Sequence, residues 1–141
     1  MPDNIAVFAT VILLLPMIYL FLAAPAFLLV RLDIPPVALL MRTMFSGYFI
    51  IMVITAGVGA LAVALEGRLL VALGIGLIAA LAAASRRWFL RRLDAGLGDR
   101  DTGRLPAAGL LRRLHWGGML SNAALLAGVI TSIPYVAVVP R

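Results

Sequence analysis

The chain of 141 residues contains no cysteine, which excludes disulfides, thiolate metal sites and cysteine nucleophiles. It has one histidine, His115, so no site built on two histidines of one chain can form. Lysine is missing too: all twelve basic residues are arginine. No phosphate-binding loop, paired catalytic carboxylates, nucleophile elbow or zinc motif is present. The acids number six. None of the charged residues falls near the middle of a long apolar run, where ion-coupled transporters and proton pumps carry one.

Apolar residues fill the chain instead. The hydrophobic fraction is 64% and the mean hydropathy +1.11. Four runs stand out, at 5–30, 43–65, 69–84 and 116–139. A bilayer crossing needs about 20 mostly apolar residues, and a soluble domain of this size rarely holds four such runs. The expected fold class is therefore all-α integral membrane: an antiparallel four-helix transmembrane bundle in a single domain, 1–141. Ala23-Ala24-Pro25-Ala26 faintly resembles a signal cleavage site, but Met1–Asn4 lacks a basic side chain and the run is long for a signal peptide. The first run is expected to be a retained span.

Charge sets the expected orientation. The net charge of +6 and a pI near 11.3 do not mark a nucleic-acid binder, because the arginines cluster at span ends, where they meet lipid headgroups. The first connection holds Arg31, Arg42 and Asp33. The third, 85–115, holds Arg86, Arg87, Arg91, Arg92, Arg100, Arg104, Arg112 and Arg113 against three aspartates, Asp94, Asp99 and Asp101. Both connections fall on one side of a four-span chain, and the positive-inside rule makes that side cytoplasmic. Both termini are then expected outside. Arg42, Arg86, Arg87, Arg112 and Arg113 are the candidates for contact with anionic headgroups.

Several local features follow. Glu66-Gly67-Arg68 is a turn short enough to force spans two and three into a helical hairpin. Pro35-Pro36 opens a segment, Val37–Met41, expected to be helical and to lie along the interface. Pro16 and Pro25 are expected to kink span one. Span three is expected to continue past the bilayer through Trp88, with Gly96–Gly103 flexible and Pro106 opening the helix that enters span four. Small residues at four-residue spacing (Ala72, Gly76, Ala80 and Ala84; Ala56, Ala60 and Ala64; Ala124, Gly128 and Ser132) are expected to let helices pack closely, either within the bundle or with one stripe facing a second protein. Span one, with Phe8, Met17, Tyr19, Phe21 and Phe27, has no such stripe and is expected to face lipid or a partner.

His115 and Asn122 are the polar pair of interest. Seven residues apart, they share a helix face at the entrance to span four. One reading makes His115 a haem or chlorin ligand, a quinone partner or a proton donor. The other makes it an interfacial residue beside Trp116, with Asn122 bonding a neighbouring helix. The second is favoured.

The order of features carries a resemblance. Ala24–Phe27 ends the first span, Met44-Phe45-Ser46-Gly47-Tyr48-Phe49 begins the second, and Leu114-His115-Trp116 with Ser121-Asn122 opens the fourth. In this the chain resembles small four-span bacterial proteins related to animal transmembrane protein two-hundred-five, a domain of unknown function. It is also similar to the membrane part of copper-resistance D proteins and to four-span anthrone-oxygenase-like proteins. The resemblance implies a four-helix bundle in a bacterial inner membrane with periplasmic termini. It implies no defined activity. A copper role calls for a methionine- or histidine-rich exterior, whereas the methionines here are scattered and His115 is expected on the cytoplasmic side.

Three functions fit these features, in descending order. The first is a non-catalytic accessory or assembly subunit packed against a larger respiratory or photosynthetic complex. The second is a small carrier or channel for a metal, drug or lipid, acting as a homo-oligomer. The third is a haem- or quinone-binding subunit using His115 with Asn122.

Overall fold

A computed structural model of the chain describes residues 4–32, 34–101 and 107–137. The described residues form four α-helices and a short 3-10 turn, with no strand. α1 is Asn4–Ala23, followed by the 3-10 turn Ala24–Leu28; α2 is Pro35–Leu65, α3 is Leu69–Asp101 and α4 is Ala107–Ala137. All four are long and apolar enough to cross a membrane.

The boundaries follow from proline and glycine chemistry. Pro25 lacks the N–H that would continue α1, and the chain tightens into the 3-10 turn at that point. Ile34, the residue before Pro35, is extended, and Pro35 takes the first helical position. No separate interfacial segment forms over Val37–Met41. Those residues are the opening turns of α2, which runs unbroken for 31 residues. Nothing after Pro36 interrupts the backbone ladder, so one helix is cheaper than two. Likewise α3 continues as helix through Gly96 to Asp101; Gly103 and Pro106 lie outside the described residues.

The α2–α3 turn is closed by a Schellman motif. The Gly67 amide donates to the Ala64 carbonyl at 2.9 Å and the Arg68 amide to the Val63 carbonyl at 3.2 Å. Gly67 sits at φ 80, a left-handed conformation that glycine adopts without Cβ strain.

The buried residues repeat at alternating three- and four-residue steps. On α1 and into the 3-10 turn the rhythm runs Ala6, Thr10, Leu13, Met17, Leu20 and Ala24, with Ala9 and Pro16 buried beside it. On α3 the same rhythm runs Ala72, Ile75, Ala82, Phe89 and Leu93, with Ala79 half-buried in register. A 3.5-residue repeat is the pattern of a helix–helix packing seam. A strict four-residue row is inclined to the helix axis and leaves such a seam after a turn or two. Hence Ala72 is buried and Gly76 faces Ala60, whereas Ala80 and Ala84 lie on an exposed face of α3 and Ala124 and Gly128 on an exposed face of α4. Ser132 is half-buried.

Span one has two unlike faces. Its apolar window is 39% buried, against 28% for α2, 17% for α3 and 11% for α4. It packs on both α2 and α4. The bulky Phe8, Tyr19 and Phe21 point outward, and a narrow seam of alanines with Leu13, Met17 and Leu20 faces in. α1 thus turns its bulky face outward and a narrow seam inward, packed between α2 and α4. α2 packs most extensively on α3, while α3 and α4 meet far less.

Candidate functional site

The basic half of the bundle holds an aromatic nest. Phe45 of α2 is fully buried. Its ring centroid lies 4.6 Å from that of Phe89 and 5.7 Å from that of His115, the last edge-on at 85°. Phe27 of the 3-10 turn closes on His115 from another side at 5.8 Å. α4 reaches this nest through Gly118: a Cβ there would stand 2.6 Å from a Phe45 ring carbon. Only glycine lets the α4 backbone come so close.

His115 is fully buried. Neither ring nitrogen makes a hydrogen bond. The ring is walled by Phe27 and Phe45 and lines none of four cavities found among the described residues. It is not the exposed neighbour of Trp116; the two rings leave α4 on different faces, and Trp116 is 46% exposed.

Asn122 is the other buried polar residue on this face. Its amide donates from Nδ2 to the Met17 carbonyl at 2.9 Å. Its Oδ1 accepts from the Tyr48 hydroxyl at 2.6 Å. One side chain of α4 therefore ties α1 and α2 together, with every partner buried. Tyr48 was visible in the sequence as a polar residue of span two; its pairing across 74 positions was not. Three hydroxyls bond their own helices: Thr10 to the Ala6 carbonyl at 2.7 Å, Thr55 to Ile51 at 2.8 Å and Ser132 to Val129 at 2.7 Å.

The five headgroup arginines divide. Arg42 is held by Asp94 in a two-pronged ion pair, 2.6 and 3.0 Å. Arg86 turns inward, its Nη2 donating to Ser46 Oγ at 3.2 Å. Arg87, Arg112 and Arg113 are exposed. Arg113 lines a cavity together with Arg92, which sequence reasoning had not singled out. The guanidinium of Arg92 lies 5.4 Å from the centroid of the Trp88 ring.

That cavity belongs to a cleft between α3 and α4. The helices converge at the basic end, where Leu110 lies against Gly96. At the opposite end Arg68 Nη1 donates to the Val136 carbonyl at 2.6 Å, spanning the α2–α3 turn and α4. Between these two pins the cleft opens into a basic half of about 380 Å³ and an apolar half of about 350 Å³. Ala124, Gly128 and Ser132, the expected packing stripe of α4, line the apolar half. Among the described residues no cluster of three metal-ligating side chains occurs.

The arrangement defines an all-helical bundle of four potential membrane spans with a sealed polar lock and a side-opening cleft. No family model, curated protein or solved structure matches the chain. The resemblance to the four-span family therefore rests on its short motifs.

Proposed function

We propose that this is a multi-pass protein of a bacterial inner membrane, with both termini periplasmic, that serves without catalysis of its own as an accessory or assembly subunit of a larger membrane complex. The carrying observation is the outward-facing small-residue surface of α3 and α4: Ala80, Ala84, Ala124 and Gly128 are exposed, on helices whose windows are only 17% and 11% buried. Between lipid-immersed helices association depends on close packing of small residues, so a helix of a partner gains contact there. Large exposed side chains such as Leu22 at 72%, Leu70 at 86% and Leu73 at 68% support residence in a lipid phase. The arginine-rich first and third connections support the orientation.

The carrier reading has one specific observation in its favour, the arginine-mouthed half of the cleft. The haem or quinone reading is weakened: the His115 ring is enclosed by Phe27 and Phe45, and a planar cofactor reaches it only if α4 moves. The test is purification from native membranes in mild detergent, with mass spectrometry and an absorbance spectrum. Stoichiometric larger subunits are expected. A chain that emerges alone and colourless overturns the accessory reading; a Soret band restores His115 as a ligand. Single cysteines at Glu66 and Arg87, placed in a chain with none of its own, report sidedness by labelling from each face of the membrane.

A further inference from the structure

We propose that the basic half of the α3–α4 cleft is a binding site for one amphiphile with an oxyanion headgroup, phosphate or carboxylate, and an alkyl chain. The proposal does not depend on whether a larger complex docks.

The cavity's two ends differ in chemistry. Arg92 of α3 and Arg113 of α4 stand at one end, with Trp88 beside Arg92. Among the described residues no acidic side chain lines the cavity. Asp94, the described acid nearest in sequence, is taken by Arg42 of α2. Two guanidiniums with no counter-ion among the described residues are matched by an anionic group, which a fork of N–H donors grips well. Towards the other end the lining is Leu81, Ala82, Met52 and Leu125, where a hydrocarbon chain fits. The polar pair at the back, Tyr48 and Asn122, is satisfied within the protein. It asks nothing of a ligand, so the chain can pass it.

The length also matches. From Arg92 to Leu81 the cleft follows eleven residues of α3, which at a rise of 1.5 Å is about 16 Å. One leaflet is half of a hydrocarbon core of about 30 Å. A headgroup at the arginines thus leaves the chain end near the bilayer midplane. Pins at both ends of the cleft, Gly96 on Leu110 and Arg68 on Val136, hold it open sideways, the direction from which a lipid enters. At about 380 Å³ the cavity has the volume of a small-ligand site and takes a single chain.

The experiment is binding of oleoyl lysophosphatidylglycerol, oleoyl lysophosphatidylcholine and inorganic phosphate to the purified full chain in detergent, read by native mass spectrometry. The anionic lysolipid is expected to bind about tenfold or more tightly than the zwitterionic one. Arg92→Gln with Arg113→Gln is expected to remove that preference. Arg87→Gln with Arg91→Gln, an equal loss of charge on arginines that do not line the cavity, is expected to keep it. Gly117 lines the cleft and a Cβ there meets nothing within 4 Å, so Gly117→Leu is expected to block the chain and weaken both lysolipids. Circular dichroism checks that it folds. In a Trp116→Phe background, a lysolipid brominated near its headgroup is expected to quench Trp88, which tests the site with its lining intact. Equal loss from both arginine pairs, equal binding of the two lysolipids, displacement by millimolar phosphate, or an unquenched Trp88 each overturns the proposal.

Discussion

The seam of α1 with α2 and the cleft between α3 and α4 are built from similar residues and end differently. Ala9 of α1 stands against Gly59 of α2, where an added Cβ would come within 3.2 Å of the Ala9 Cβ. Across the cleft Gly74 and Gly128 meet nothing within 4 Å. Small residues permit contact without compelling it. What decides is whether they fall in the 3.5-residue seam, as Ala6, Ala56 and Ala72 do, or on a four-residue row that rotates away from it, as Ala80, Ala84 and Ala124 do.

Mutations at the two regions separate this contrast. The largest effect is expected in the closed seam: Leu13→Ala or Met17→Ala leaves a cavity and lowers stability by about 2–5 kcal/mol, read as a fall in the unfolding midpoint in detergent. Next is Gly118→Val, which forces α4 off Phe45 and costs about 1–3 kcal/mol by overpacking; a fully native midpoint breaks the assignment of that contact. Then comes the polar lock. In a double-mutant cycle of Tyr48→Phe and Asn122→Leu the coupling is expected at about 0.6–1.7 kcal/mol, the range for hydrogen bonds between membrane helices. Additive effects there dissolve the lock. The exposed pair is smaller still: Arg42→Gln or Asp94→Asn is expected to cost at most about 1 kcal/mol, shrinking as salt is added. Smallest is the open cleft. Ala124→Leu or Gly128→Leu is expected to leave the midpoint of the isolated chain within about 0.5 kcal/mol while abolishing co-purification of a larger subunit. A drop like that of Leu13→Ala makes the cleft ordinary core.

Parts of the site were legible before any coordinates. Asn122 as a tie between helices needed only the rule that an amide in lipid seeks a partner. The Glu66–Arg68 turn needed only Gly67 and its length. The seam of α1 was also legible, since Ala6, Thr10, Leu13, Met17, Leu20 and Ala24 keep the rhythm of three and four. Phe8, Tyr19 and Phe21 mark the opposite, outward face and mask that rhythm in the residue types. The burial of His115 carried no such signal. Its enclosure depends on Phe27 at the end of α1 and Phe45 on α2 arriving together at α4.

By itself the sequence determined the class of this protein: helix count, the hairpin, the start of α2 at Pro35 and the clustering of arginines at one end. These are properties of single segments, set by apolar length, by the missing N–H of proline and by the φ freedom of Gly67. Only the tertiary structure decided which small residues pack, which pairs of helices meet closely, that Asn122 pairs with Tyr48, and that Arg92 and Arg113 share a cavity. Each of those depends on helix rotation and crossing, to which a one-residue step contributes 100°, and hydropathy alone carries no such angle.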